Sequence, residues 1–400
     1  MISLFFLGLL FMTFLWNTYY ARHWNQGLSV SLDFVQNSVY AGGQAEMTEK
    51  IENRKKLPLP VLEVAFHIDK RLSFLHCENT TVSDFIYKRD IFALLGRQRI
   101  TRKLTLNCPK RGYFRITSSE LTTFSMLHRQ RYSTSCPADT ELYVYAARTD
   151  VGNILTTCER LMGNLQCAKR LFEDPFAFSS IREYTTNDPM NTINWKASAR
   201  TGALMVNTFE STLTRQVMIY LDIEDSGILK YDWLIEESIS VAASLAHKLI
   251  GNGIDVGICV NTELDESMMY PEKNALYPSG QFPRVIYTKP ACSTKHLTYI
   301  EQTLAKCKSD GNIIPFTKFF IPPDNARKGL PAHMESISFM PPADATLIFI
   351  SKNVTLNQKV IEGLAHREKQ IVWVIPYTRG ETCDVKTQEN IRLIKREVNI

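Results

Sequence analysis

QVMIYLDI (Gln216–Ile223) is an almost unbroken apolar run with an acid, Asp222, next to its end. Such a run suits a strand buried on both faces, as in a parallel sheet, rather than a strand with one wet face. A long amphipathic stretch follows, from Tyr231 or Asp232 to Ile250, with Ile235, Ile239, Ala242, Leu245, Ala246 and Leu249 at helical spacing. Gly251-Asn252-Gly253 predicts the helix end, and IDVGICV (Ile254–Val260) the next strand. The alternation returns as ATLIFIS (Ala345–Ser351), a polar helix and QIVWVIP (Gln370–Pro376). Strand–helix–strand order predicts an α/β domain over residues 216–400, its parallel sheet covered on both faces. Residues 261–294, punctuated by Pro and Gly, read as a long insertion or loop.

Upstream the pattern changes. LSVSLDFV (Leu28–Val35), LEVAFHI (Leu62–Ile68) and ITRKLTL (Ile100–Leu106) alternate with period two and are separated by turn signals such as Gly42-Gly43 and Pro58/Pro60. Residues 21–135 are therefore expected to form a β-sandwich module. With 400 residues, 44% hydrophobic and 22% charged, the chain is globular and long enough for two or three domains. Nine cysteines, odd in number and without a CxxC pair, exclude a disulfide framework or a zinc ribbon. The formal charge of +5 is too mild to imply nucleic acid. Its distribution is uneven: residues 21–135 carry 18 Lys/Arg against 10 Asp/Glu. Arg97, Arg99 and Lys103 read as wet faces of strands, and no nucleic-acid-binding module accompanies them.

The basic stretch follows MISLFFLGLLFMTFL (Met1–Leu15), which is continued by Trp16, Tyr19, Tyr20 and then Arg22. A span needs roughly 20 apolar residues, and the aromatics suit a headgroup belt. No Lys or Arg precedes the run and no small-x-small cleavage site follows it, against a secretory signal. Residues 1–20 are thus expected to be a single-pass transmembrane anchor in the cell membrane, with the bulk of the chain cytoplasmic. The basic surplus after the helix would be drawn to anionic lipids of the inner leaflet.

Between the two regions, residues 136–215 read as a connecting segment. Asp188-Pro189 predicts a helix start, and Arg182, Asp188, Lys196 and Arg200 lie close to Tyr184 and Trp195. Taken alone, these residues suggest a buried polar network locking the module to the α/β sheet, ahead of a ligand site. The order Arg182, Tyr184, Asp188, Trp195, Lys196, Ser198, Arg200 resembles the signature of the family called domain of unknown function 58 (DUF58). Asn187 and Asn191 stand where that family usually has Gly and Arg, and one apolar leader is visible where the family usually has two.

The resemblance implies a membrane-anchored bacterial or archaeal protein with a β-rich module and a von Willebrand factor A-like domain. It also implies MoxR-type AAA+ ATPases as partners, transglutaminase-like membrane proteins as further candidates, and a role in envelope assembly or stress. Von Willebrand A-like domains often hold Mg²⁺ in a D-x-S-x-S loop. Here Asp222 and Ser226 match it, while Glu224 replaces the middle Ser and Lys352 follows Ser351 where an Asp would be expected. The expectation is a degenerate site without a cofactor, Mg²⁺ being the one ion the resemblance brings, with Lys352 bridging to Asp222 or Glu224 in its stead. The carboxyl edge, comprising Asp222, Glu224, Asp225, Ser226, Ser351 and Lys352, is the candidate binding crevice. No HExxH, GxSxG or GxxxxGK[ST] occurs, and Cys158 and Cys167 have no nearby His. The chain is therefore expected to be a non-catalytic interaction protein, the second reading being a metal-dependent enzyme working at that same edge.

Overall fold

The computed structural model describes residues 2–75, 80–82, 85–125, 130–169, 178–186, 188–209, 215–224, 231–262, 286–308, 313, 315, 345–365, 370–378 and 390–398. The chain divides into two compact units, Met1–Arg148 with Leu304–Lys306, and Thr149–Thr303 with Cys307–Ile400.

The first unit holds α1 (Ile2–His23), β1 (Leu28–Phe34), β2 (Ser38–Tyr40), β3 (Gly43–Asn53), β4 (Leu59–Asp69), β5 (Ser73–Phe74), β6 (Thr80–Val82), β7 (Phe85–Leu94), β8 (Arg99–Cys108), β9 (Gly112–Phe124) and β10 (Arg131–Tyr145). They form two sheets, ordered β1-β3-β8-β5 and β2-β10-β9-β4-β7-β6. Period-two alternation turns Ala45, Met47 and Ile51 of β3 inward, and Met47 and Leu106 pack against Phe66, Ile116 and Leu142 of the other sheet. This is a β-sandwich. The boundary expected at residue 135 is too early: β10 runs on to Tyr145 because it keeps its pairing with β9 as far as Val144↔Gly112.

α1 is rooted in this sandwich. Tyr20 and Trp24 are buried with Ile51, Leu62 and Leu121, and the Tyr20 hydroxyl lies 3.2 Å from Thr123 Oγ1. Towards its start Phe5, Leu7, Phe11 and Phe14 are exposed. Among the described residues no helix is long and apolar enough to cross a membrane.

The second unit contains α2 (Gly152–Lys169), β11 (Phe178–Glu183), α3 (Trp195–Thr201), β12 (Met205–Phe209), β13 (Gln216–Leu221), α4 (Asp232–Gly251), β14 (Asp255–Val260), β15 (Ile286–Tyr287), α5 (Thr294–Lys306, its last three residues grouped with the first unit), β16 (Thr346–Ile350), α6 (Val354–Ala365), β17 (Ile371–Tyr377) and β18 (Ile391–Glu397). The sheet order is β15-β14-β13-β16-β17-β18, parallel throughout except for the edge strand β15. Every residue of β13 after Gln216 is buried, as the unbroken apolar run requires. α4 buries Ile235, Ile239, Ala242 and Leu249 and ends at Gly251, with Gly253 at φ +76° taking the left-handed turn. β11 and β12 form a two-stranded sheet, with one further bridge from Val206 of β12 to Ile193. Most of the insertion expected over 261–294 (263–285) lies outside the described residues.

One feature of the sandwich departs from its alternating pattern. Glu49 of β3, Arg102 of β8, and Lys88 and Asp90 of β7 all point inward, and all but Arg102 are buried. Arg102 donates to Glu49 Oε2 at 2.8 Å and also to Asp90, while Lys88 Nζ lies 3.3 Å from Asp90 Oδ2. Burial pushes the Glu49 carboxyl above its ordinary value, and Arg102 pulls it back. Removing the guanidinium leaves two carboxylates facing each other in the interior. Arg102→Ala should lower stability by about 3 kcal/mol, whereas loss of the exposed Arg99 should cost less than about 1 kcal/mol. Urea denaturation of the detergent-solubilised full chain, comparing the two variants, checks this.

Candidate functional site

The sheet changes winding direction at β13, since β14 lies on one side of it and β16 on the other. In open α/β sheets the crevice beyond the carboxyl ends at such a point is where ligands bind. Asp222 stands there, one residue beyond β13, and Ser351 one residue beyond β16. Asp222 N donates to Ile350 O at 2.9 Å, which joins the two strand ends.

The Asp222 side chain is 5% exposed, and both of its oxygens are occupied. Oδ1 accepts from Asn261 Nδ2 at 2.7 Å and from the backbone N–H of Glu224 at 2.9 Å. Oδ2 accepts from Ser351 Oγ at 2.8 Å and from Asn357 Nδ2 at 2.7 Å. Asn261 Oδ1 accepts from Ile223 N at 2.8 Å, so its amide N–H must face the acid. Ser351 Oγ accepts from Asn353 N and Asn357 Nδ2 and keeps its one proton for Asp222. Burial raises the Asp222 carboxyl above its ordinary value, and the four donors pull it back part of the way. Glu224, half-buried, is raised by burial and by the charge of Asp222.

These donors do not fit a hard divalent cation. Such an ion needs converging oxygen lone pairs, and every group described around Asp222 turns a hydrogen towards it. Among the described residues no three His, Cys, Asp or Glu side chains come together as a metal cluster would require. Asp225 and Ser226 lie outside the described residues. The expected bridge from Lys352 to Asp222 is corrected: amides and a hydroxyl hydrogen-bond both Asp222 oxygens, and the Lys352 ammonium stands 5.3 Å from the centre of the Tyr231 ring. Asn261 and Asn357 are the residues that reading the sequence missed. Their one signal is a polar residue just after a fully buried strand, seen at Asn261 after Val260.

The signature residues form a separate, solvent-facing structure in the β11–β12 hairpin. Asp188 accepts from Arg182 Nη1 at 2.7 Å and from Thr185 N and Oγ1, both at 2.8 Å. The Arg182 guanidinium, aided by the Thr185 donors, holds the Asp188 carboxyl well below the usual range. The helix expected to start at Asp188-Pro189 is only a short 3-10 helix there, Met190–Thr192 after Pro189, and the Asp188 carboxylate does not cap it because it is spent on Arg182 and Thr185. α3 begins at Trp195, with Asn194 as its cap, Oδ1 accepting from Ala197 N at 3.0 Å. Ser198 Oγ accepts from Met205 N at 2.8 Å and donates to Asn194 O, tying α3 to β12. Tyr184 is half-buried, while Arg182, Lys196 and Arg200 are exposed, so the network is not buried as expected. Its pairs are short-range, and Trp195 is 67% exposed and Met190 72% exposed. Asn187 lies outside the described residues, and Asn191 is exposed.

Truncating Asp222 would strand four buried donors. Asp222→Ala should cost at least about 3 kcal/mol, the loss read by urea denaturation. A native carboxyl held above its ordinary value loses its proton later than the unfolded chain does. This group therefore favours the native state most at acid pH, and its contribution declines from about pH 4 upward. The stability of wild type relative to Asp222→Asn should fall as the pH rises from about 4 to about 7, as urea midpoints at each pH would record.

Known proteins resemble this chain in parts. An 80-residue stretch is 31% identical to the uncharacterized protein YeaD of Bacillus subtilis, covering 20% of this chain and 19% of that one. The match thus spans about a fifth of the relative's length. The CARDB domain of a Pyrococcus furiosus protein is 13% identical, covering 30% of this chain and 94% of that chain at a TM-score of 0.21. The sixth cohesin of Acetivibrio cellulolyticus scaffoldin B is 11% identical, covering 30% and 99% at a TM-score of 0.22. Residues 180–314, from the signature hairpin through β13, α4, β14 and α5, match the family model of Protein of unknown function DUF58, and the chain carries a DUF58 domain.

Proposed function

We propose that this protein is a membrane-tethered, non-catalytic interaction module whose β11–β12 hairpin grips another protein. The observation that carries the reading is the pairing of rigidity with exposure in that hairpin. Arg182, Asp188 and Thr185 lock its turn, Asn194 and Ser198 lock α3, and the large apolar side chains Trp195, Met190, Phe178 and Leu204 stand in solvent. Exposed aromatic and Met side chains on a preorganised scaffold are the composition of a protein-binding hot spot. The DUF58 resemblance supplies the partner class, a MoxR-type AAA+ ATPase, with transglutaminase-like proteins second, in envelope-related assembly or stress.

In this reading residues 216–400 are a von Willebrand A-like domain. The strand order and the antiparallel edge strand β15 support it. The carboxyl edge then serves as a scaffold rather than a reaction centre, because Asp222 spends its lone pairs on the protein's own amides and hydroxyl. α1 is the single-pass anchor in the cell membrane and the body is cytoplasmic. The reading rests on the part of the helix before Tyr20, which is apolar and exposed, and on Arg22 beyond it; Tyr20 itself is held by the sandwich.

Purified full chain in detergent should bind the MoxR-type ATPase of its own organism. Trp195→Ala should weaken the dissociation constant at least about tenfold with unchanged circular dichroism. Equal affinity of the variant, or no binding by wild type, would overturn the proposal.

A further inference from the structure

The end of the sandwich from which α1 emerges is assembled from three segments distant in sequence. Leu28, at the start of β1, pairs with Asn53, Glu52 with Arg99, and Leu59 with Leu94, so the turns after β3 and β7 lie beside the helix root. They are interlocked there. Arg54 N donates to Gly27 O at 2.8 Å, Arg97 N to Lys55 O at 2.9 Å, and Asn53 Nδ2 to both Leu57 O and Leu95 O. Lys55 Nζ donates to Trp24 O at the helix root. A Cβ on Gly96 would lie 2.3 Å from Lys56 O, so the two turns touch backbone to backbone. Arg97 sits at φ +59°, a left-handed conformation that L side chains rarely adopt.

This built rim presents Arg22, Arg54, Lys56 and Arg97 to solvent. In residues 22–28, 52–58 and 94–99 the sequence holds one acid, Glu52, and its carboxylate is shared at 3.0 Å between Arg54 and Arg99. Leu95, 70% exposed, leads into the turn at Gly96–Arg97 and so adjoins these charges in sequence. Cations beside an apolar side chain are what a layer of anionic headgroups over hydrocarbon recognises.

We infer that these interlocked turns are a lipid-contact collar: Arg54, Lys56 and Arg97, with Arg22 of the helix root, bind phosphates of anionic phospholipids while Leu95 dips among the headgroups. The inference rests on α1 being the anchor proposed above. That helix would hold this end of the sandwich at the bilayer surface, and the collar would fix the tilt of the sandwich on it.

The test uses the full chain in proteoliposomes of neutral phosphatidylcholine alone or with about a third phosphatidylglycerol. Resistance to alkaline carbonate extraction reads the anchor. Amide hydrogen exchange of residues 53–57 and 94–98 in the same vesicles reads the collar. Exchange at both turns should slow at least about threefold on the anionic vesicles relative to the neutral ones. That difference should vanish in 0.5 M salt, where screening is on the order of 4 Å, and in the variant Arg54→Glu, Lys56→Glu, Arg97→Glu. The milder set Arg54→Gln, Lys56→Gln, Arg97→Gln should reduce it and guards against misfolding of the reversed variant. Equal exchange on the two vesicle types, or protection that survives in the glutamine variant, overturns the collar even where carbonate leaves the anchor in place. Extraction by carbonate with the lipid-dependent protection intact overturns the anchor and leaves the collar as a peripheral contact.

Discussion

A carboxylate buried without a cation is the constraint around which the α/β unit is organised. Placing Asp222 beyond the end of β13 with little access to water is expensive unless its charge is answered locally. The chain answers it with four neutral donors drawn from four places: the loop after β13, Asn261 after β14, Ser351 after β16 and Asn357 in α6. Three of the donors are held by further bonds: Asn261 accepts from Ile223 N, Ser351 accepts from Asn353 N, and Asn357 also donates to Ser351. The three central strand ends and a covering helix are therefore fixed to one another by a single acid. A cation could perform the same task, but only if the amides turned their oxygens inward, and that would break the bond from Ile223 N.

The sandwich handles buried charge in a different manner. Glu49, Asp90, Lys88 and Arg102 answer one another across the two sheets as ion pairs. Buried ion pairs contribute little net stability, but they penalise any register that separates the partners. A one-residue slip of β3 against β8 would turn Glu49 outward and leave Arg102 and Lys88 short of counter-charge. The network thus selects one pairing among several that the alternating apolar pattern alone would tolerate.

Much of this was legible from the sequence because it rests on burial periodicity. β13, α4, β14, β16 and β17 follow from apolar runs and helical spacing, and β1, β4 and β8 from alternation, since local pattern and final burial agree there. The chemistry of the carboxyl edge was not legible. Asn261 and Asn357 lie 39 and 135 residues from the acid they serve, and an asparagine carries no periodicity that announces a partner. The Asp188-Pro189 pair misled for a related reason. An acid before proline is good helix-start chemistry, but the same carboxylate suits a turn when an arginine six residues earlier can reach it. The sequence pattern offered both, and the Arg182 fork prevailed, leaving Asn194 as the cap.

The signature hairpin and the carboxyl edge make opposite use of polar side chains, and that contrast bears on what kind of protein this is. Among the described residues of the edge, the polar atoms around Asp222 face inward and spend their bonds on that one acid. In the hairpin, short-range pairs spend the polar groups on holding the backbone, and the apolar groups are turned outward at an entropic cost already met by the fold. A reaction centre requires the reverse: polar atoms aimed into a cleft and apolar surface hidden. A surface that freezes its backbone and exposes Trp195 and Met190 instead gains free energy only when another apolar face covers it. The interaction surface proposed above rests on this contrast in the direction in which the described side chains of the two sites point.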